Sequence, residues 1–177
     1  PYRGFHVRPS TLISKLVLHY GSDVRMELEG ESYDARSPLE LFRANEKINA
    51  QKRRSLATET IRLGLVPAQV SGSDTKTLIR SVIMTLADYG KVIIYEQPLK
   101  LDDMTIQQDA RLIEQVTDEI AKLLVMGKID IATEMKVAFF GDKRVLEDIR
   151  LLAECGYGED NFGNNIPLPE RLKYLRQ

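Results

Sequence analysis

The sequence has few of the features that mark disulfide-rich, zinc-binding or membrane-spanning proteins. Only one of its 177 residues is a cysteine, Cys155, which excludes an internal disulfide framework and a cysteine-rich zinc site. That fits a reducing compartment, and we expect a cytoplasmic protein. No apolar run reaches the roughly 18 residues that a membrane-spanning helix needs. The formal net charge of −1 provides no global field toward nucleic acid or an anionic membrane.

The amino-terminal residues also lack the long apolar stretch of a secretory signal. The first residue is Pro1 rather than methionine, which is consistent with an excised fragment. Apolar residues make up 43% and charged residues 29% of the chain, proportions that are typical of globular proteins. The length suffices for one ordinary domain or two small ones with a buried core.

Hydrophobic periodicity near the amino terminus predicts a helix, a β-hairpin and the start of a second helix. Apolar residues recur at helical spacing over residues 10–20, and Gly21 follows as a C-terminal stop. Residues 24–29 alternate between apolar and charged, which indicates a half-buried strand, and a short returning strand is expected over 32–36. Ser37 before Pro38 is typical of an N-cap followed by the first helical residue.

The rest of the chain predicts mostly helices. Four are expected, over residues 45–63, 75–89, 106–126 and 145–153. Short strands are expected over 91–96 and 135–140, and a loop over 70–74. The tail from residue 157 reads as a loop that ends in a polar stretch over 169–177.

Residues 4–9 (GFHVRP) combine residue types that suit reversible phosphoryl transfer. His6 lies just before the first helix, and an imidazole that titrates near neutral pH offers a free nitrogen to accept the group and later pass it on. The N-terminus of a helix favours an anion, and Arg8 would add charge-assisted hydrogen bonds to a phosphate. Pro9 loses no hydrogen bond at an early helical position. This chemistry needs no metal and no cofactor.

Residues 4–12 (GFHVRPSTL) resemble the active-centre motif of HPr, the histidine phosphocarrier of the sugar phosphotransferase system. The similarity continues without a gap through 21–30 (GSDVRMELEG) to 35–37 (ARS), where the family has its second strand, turn and third strand. Residues 134–142 (EMKVAFFGD) and the helix after them resemble its fourth strand, turn and last helix. The resemblance therefore lies on both sides of a long insertion.

The resemblance implies an α/β (α+β) fold of the HPr type, an open-faced β-sandwich with helices on one face of an antiparallel sheet. We expect residues 1–45 to form the first part of an HPr-like domain and 134–177 its second part with a C-terminal tail. Residues 46–133 would be a mostly helical insertion, which is tolerable because the cost of closing a loop grows slowly with its length. The family's first strand is nearly absent here, which predicts an unpaired sheet edge that a second chain or the insertion could cover.

For function, the resemblance implies a phosphocarrier of a phosphotransferase system rather than a stand-alone enzyme. His6 would accept the phosphoryl group from an Enzyme I-like donor and pass it to an Enzyme II-like or regulatory acceptor, while Arg8 holds the phosphate. Ser37 matches the family's regulatory serine, but Pro38 directly after it is unusual there, so a plain N-cap is the favoured interpretation. The alternative function is a module of the same fold that binds a protein partner without transferring phosphate.

The remaining candidate residues have simpler interpretations. His19, near the end of the first helix, and Cys155 are expected to be structural. A basic run is expected to be a solvated helix face, and it consists of Lys47, Lys52, Arg53 and Arg54. A nucleic-acid-binding regulator that uses this run is a third alternative, but no aromatic residues are interleaved with it and the chain is near neutral.

Overall fold

The computed structural model describes residues 4–68, 75–102, 111–160 and 162–176, and these mix helices with small antiparallel sheets. The chain divides into two compact units. Unit 1 comprises Pro1–Ile48 with Glu134–Gln177, and unit 2 comprises Asn49–Thr133. The first break therefore follows Ile48 rather than residue 45, and the second falls where the sequence placed it. Among the described residues, no helix combines the length and apolar character needed to cross a membrane.

The helices and strands follow one another in the order α–β–β–α–α–β–α–β–β–α. They are α1 (Val7–Tyr20), β1 (Val24–Leu28), β2 (Glu31–Asp34), α2 (Pro38–Arg62), α3 (Thr75–Asp88), β3 (Val92–Ile94), α4 (Leu112–Val125), β4 (Ile129–Ile131), β5 (Val137–Gly141) and α5 (Lys143–Glu154). Two 3₁₀ turns follow, over Gly156–Gly158 and Glu170–Arg176.

The hairpin of β1 and β2 follows directly from its sequence. The three apolar residues of β1 are buried and its two charged residues are exposed, as the alternation predicts. Leu28 pairs with Glu31, which leaves Glu29 and Gly30 as a two-residue loop. Both have positive φ, 50° and 80°, the backbone that matches the twist of a tight hairpin.

Unit 1 contains a three-stranded antiparallel sheet in the order β2–β1–β5, so that β1 is the central strand. Only one face of β1 is buried, and its residues share a hydrophobic core with residues of α1, α2 and α5. The fully buried members of this core include Ile13, Leu16, Met26, Leu28, Leu41 and Leu152. This confirms the expected combination of an antiparallel sheet with packed helices.

The C-terminal tail differs from the expectation. It was predicted to be loop-like and polar, yet it contributes Tyr157, Leu168, Leu172 and Leu175 to the core of unit 1. Leu172 and Leu175 are three residues apart, which places them on the same side of a 3₁₀ helix. Periodicity did not show this because the apolar positions are few and are separated by glycines and prolines.

Unit 2 has its own core, built from α3, α4, the end of α2 and a two-stranded sheet of β3 and β4. The sequence predicted α3 and β3 but missed β4, because Asp130 interrupts the kind of short apolar run that made β3 recognisable. The predicted helix over 106–126 corresponds to α4, which begins at Leu112. Its expected first residues, and the loop expected over 70–74, lie outside the described residues.

Ser37 is the N-cap of α2, since the backbone N–H of Glu40 donates to its Oγ at 3.3 Å. We expect Ser37→Ala to lower the free energy of unfolding by about 1 kcal/mol, whereas Ser37→Asp should retain most of the stability because aspartate caps equally well. Urea unfolding of the three proteins would measure this. If Ser37→Asp is as destabilised as Ser37→Ala, capping of α2 is not the source of the stability that Ser37 provides.

The carboxylate of Asp142 caps α5 and binds Arg144. Hydrogen bonds from the Arg144 side chain and backbone N–H, with a further one from Ser22, lower the pKa of Asp142 to about 2. A pKa below that of the unfolded chain means that the charged form stabilises the fold above about pH 4, and that this contribution is lost as the pH falls through about 2.

Asp142→Asn keeps a side-chain acceptor but removes the charge. We therefore expect it to be less stable than the parent protein at pH 7, with a difference that shrinks as the pH falls below about 4 and vanishes below about 2. Thermal unfolding of both proteins across this pH range is the measurement. A difference that stays constant down to pH 2 would contradict the charge-based explanation.

Candidate functional site

The site begins where α1 begins. His6 is the N-cap residue of α1, and its carbonyl accepts the first helical hydrogen bond from the N–H of Ser10 at 3.2 Å. The predicted position of His6, immediately before a helix, is thus confirmed, although α1 starts three residues earlier than the expected Ser10. The first N–H groups of α1 have no partner within the helix, which leaves them available to an anion.

The residue before His6 is fixed on three sides. Phe5 is only 3% exposed, and its ring meets that of Phe139 edge-to-face with 6.2 Å between the centroids. The N–H of Phe5 donates to Asn45 Oδ1 at 2.8 Å, and its carbonyl accepts from the buried hydroxyl of Ser10 at 2.7 Å. His6 therefore projects from a backbone that is anchored in the core of unit 1.

Both ring nitrogens of His6 face hydrogen-bond acceptors. Nδ1 lies 3.2 Å from the carbonyl oxygen of Gly4, and Nε2 lies 3.2 Å from Glu159 Oε2. The side chain of His6 is 31% exposed, so partner molecules can reach the ring.

Arg8 reaches the same carboxylate. Its Nη1 lies 3.3 Å from Glu159 Oε2 and donates to the carbonyl of Gly158 at 3.2 Å. His6 and Arg8 thus converge on a single oxygen atom of Glu159, whose side chain is only 9% exposed. The structure brings the two predicted residues together and adds a third, Glu159, which the sequence did not indicate. Motif spacing in the sequence could not have indicated Glu159, because 153 positions separate it from His6.

Glu159 sits in a turn to which residues 156–160 and 162–166 belong, and we call these residues the Glu159 loop. The backbone of Ile166 donates to the carbonyl of Gly158 at 2.9 Å, and Arg176 donates to the same carbonyl, also at 2.9 Å. Asp160 accepts from the backbone and side chain of Asn164, which lowers the pKa of Asp160. These contacts fix the backbone on both sides of Glu159 and direct its carboxylate toward α1.

An apolar groove of about 370 Å³ lies near this cluster in unit 1. It is lined mainly by side chains of β5 and α5, together with Phe5 and Tyr157. Burial raises the pKa of Tyr157 to about 12, so its hydroxyl stays protonated. Two of the lining residues are close to the cluster in the chain, since Phe5 precedes His6 and Tyr157 lies two residues before Glu159.

The other residues considered in the sequence lie elsewhere. Among the described residues, no hydrogen bond or ion pair joins Ser37 to His6 or Arg8. His19 stacks on Tyr174 with 4.3 Å between the ring centroids, and Cys155 is partly buried with its thiol toward the carbonyl of Leu152.

The basic run is not the solvated face that was predicted. Lys52 is 7% exposed and pairs with Asp130 at 2.6 Å, inside unit 2. Lys47 pairs with Glu31 at 2.9 Å. Only Arg53 and Arg54 are exposed. Two of the four positive charges of the basic run are therefore paired with carboxylates of the protein itself. This further weakens the nucleic-acid alternative.

Comparisons of this chain with protein-family models, with curated proteins and with solved structures give no match. Its function is therefore inferred from the geometry of its own residues.

Gly4 has a backbone that only glycine adopts readily, with φ of 72°, and a Cβ there would lie 2.1 Å from Asn45 Oδ1. We expect Gly4→Ala to cost more than about 1 kcal/mol, because both the left-handed φ and the hydrogen bond from Phe5 to Asn45 are affected. Gly21→Ala is the matched control, since Gly21 also has positive φ but nothing lies within 4 Å of its Cβ position. Equal losses in urea unfolding would show that the contact with Asn45 is unimportant.

Proposed function

We propose that this chain is a phosphocarrier, which accepts a phosphoryl group on His6 from a protein donor and passes it to a protein acceptor. The observation that carries the proposal is the convergence of His6 and Arg8 on one anionic oxygen at the start of α1. An imidazole, a guanidinium and the first N–H groups of a helix are the groups that bind a phosphoryl oxygen without a metal.

The order of elements in unit 1 supports an HPr-like fold for it. After His6 the chain forms α1, β1, β2 and the start of α2, and after the residues of unit 2 it forms β5 and α5. This is the order that the sequence resemblance implies, with unit 2 as the insertion. We propose that Enzyme I-like and Enzyme II-like proteins, or a regulator, are the partners, and that the protein acts in the cytoplasm.

In the transfer step, the lone pair of an unprotonated ring nitrogen of His6 attacks the phosphorus atom carried by the donor. The new N–P bond forms while the bond between phosphorus and the donor breaks, and its electron pair returns to the donor. Arg8 neutralises charge on the transferring oxygens, so the protein contributes mainly position and electrostatics. The same steps in the opposite sense hand the group to the acceptor.

Such a site must admit two different proteins in turn. His6 is partly exposed, and its neighbour Val7 is 69% exposed although it is apolar. An exposed apolar side chain next to the reacting nitrogen offers contact area to a partner, which supports a carrier that docks by the start of α1.

The test is a phosphotransfer assay with an Enzyme I-type donor charged by phosphoenolpyruvate. We expect one phosphoryl adduct on the parent protein, stable in base and labile in acid, detected by intact mass. His6→Ala should abolish it, whereas His19→Ala should not, and these are the two histidines of the chain. Arg8→Gln should slow adduct formation by on the order of tenfold or more, because a charge-assisted hydrogen bond is lost.

The absence of any adduct would contradict the proposal if the same donor phosphorylates an ordinary carrier and the parent protein is folded. A pull-down of the partner that is unaffected by His6→Ala would then favour a module that binds without transferring phosphate. An adduct that persists in His6→Ala would place the reaction on another residue.

A further inference from the structure

We propose that Glu159 is an internal anion that competes with phosphate for Arg8, so that phosphate bound at His6 releases Glu159 and loosens the Glu159 loop. The inference deepens the proposed function, because it takes the incoming anion to be the phosphoryl group on His6.

Glu159 already occupies the place of an anion beside His6 and Arg8. One oxygen, Oε2, lies 3.2 Å from His6 Nε2 and 3.3 Å from Arg8 Nη1. The oxygens of a phosphoryl group bonded to a ring nitrogen of His6 would compete with this carboxylate for the guanidinium of Arg8. The carboxylate is therefore a built-in substitute for the phosphate that the site would bind.

The charges around Arg8 would not balance with a phosphoryl group present. The side chain of Glu159 is 9% exposed, so water compensates its charge poorly, and Arg8 is the arginine that contacts it. A phosphoryl group adds about −1.5 to −2 charges beside it. The single positive charge of Arg8 cannot neutralise both anions, so an Arg8 that binds the phosphate leaves a nearly buried carboxylate repelled by the phosphate.

Displacement of Glu159 from Arg8 would also affect the Glu159 loop. Arg8 holds the Glu159 loop twice, through the carboxylate of Glu159 and through the carbonyl of Gly158. When Arg8 turns to a phosphate, both contacts are lost and the loop keeps those made by Arg176 and Ile166. The loop is then less constrained on the side that faces His6, which gives a partner a surface that differs between the two states.

The first experiment uses inorganic phosphate as the probe and requires no transfer reaction. We expect Glu159→Gln to bind phosphate about fivefold more tightly than the parent protein, equivalent to about 1 kcal/mol. Binding would be followed by NMR shifts of the His6 and Arg8 amides, and the gain should disappear when Arg8→Gln is added. Glu154→Gln is the control, because Glu154 is an exposed carboxylate of unit 1 that pairs with Arg150.

The second experiment uses the parent protein, phosphorylated on His6 with phosphoramidate. A ring nitrogen attacks phosphorus, the P–N bond of the reagent breaks, and ammonia leaves with the electron pair. We expect hydrogen exchange of the amides in residues 156–160 and 162–166 to become faster after phosphorylation. The amides of β1 serve as the internal control and should keep their rates.

The inference is overturned if Glu159→Gln binds phosphate no more tightly than the parent protein while its loop amides remain protected. It is also overturned if phosphorylated protein exchanges its loop amides at the unmodified rate. If His6 accepts no phosphoryl group but Glu159→Gln gains phosphate affinity through Arg8, the proposed function fails and the competition stands. If the loop amides of Glu159→Gln already exchange rapidly, the substitution itself has disrupted the loop. The second experiment, on the parent protein, then decides whether the inference holds.

Discussion

The candidate site depends on one constraint, the anchoring of Phe5. Its ring is buried in the core of unit 1, its N–H is bound by Asn45 of α2, and its carbonyl is bound by Ser10 of α1. These contacts join the segment before His6 to two helices, so the direction of the imidazole is set by the core and not by a mobile terminus. Residues that carry chemistry gain precision in this way, because the supporting contacts restrict their motion.

Local patterns in the sequence were sufficient for the elements around this anchor. The alternation of β1, its hairpin with β2 and the Ser37 cap each act within a few residues, and each was predicted. The position of His6 at the start of α1 belongs to the same class, since helix spacing and Pro9 define it. Each of these signals has a physical cause that lies within a few neighbouring residues of the chain. The positive φ of Glu29 was not predicted, since the alternation placed this residue in the strand.

The parts that could not be predicted depend on distant contacts. Glu159 meets His6 across 153 positions, and Lys52 meets Asp130 across 78, so neither pair leaves a periodic signal. Lys52 was expected to be solvated because a basic run usually is, but a carboxylate of β4 makes its burial tolerable. The core residues of the tail could not be predicted for the same reason. Leu168, Leu172 and Leu175 are buried because they pack on residues distant in the sequence.

A competing carboxylate is consistent with the requirements of a carrier. A phosphoryl group that is passed on must be bound strongly enough to be accepted and weakly enough to be released. If Arg8 paired with the phosphate without a competitor, this would favour acceptance but not release. When Arg8 already has Glu159 as a partner, each phosphate contact replaces an existing ion pair, so the net gain on phosphorylation is smaller than the gross interaction. The free energy returned by restoring the pair of Arg8 and Glu159 then contributes to release. Glu159 would thus bring the two states closer in free energy, which is the condition under which a phosphoryl group moves readily in both directions.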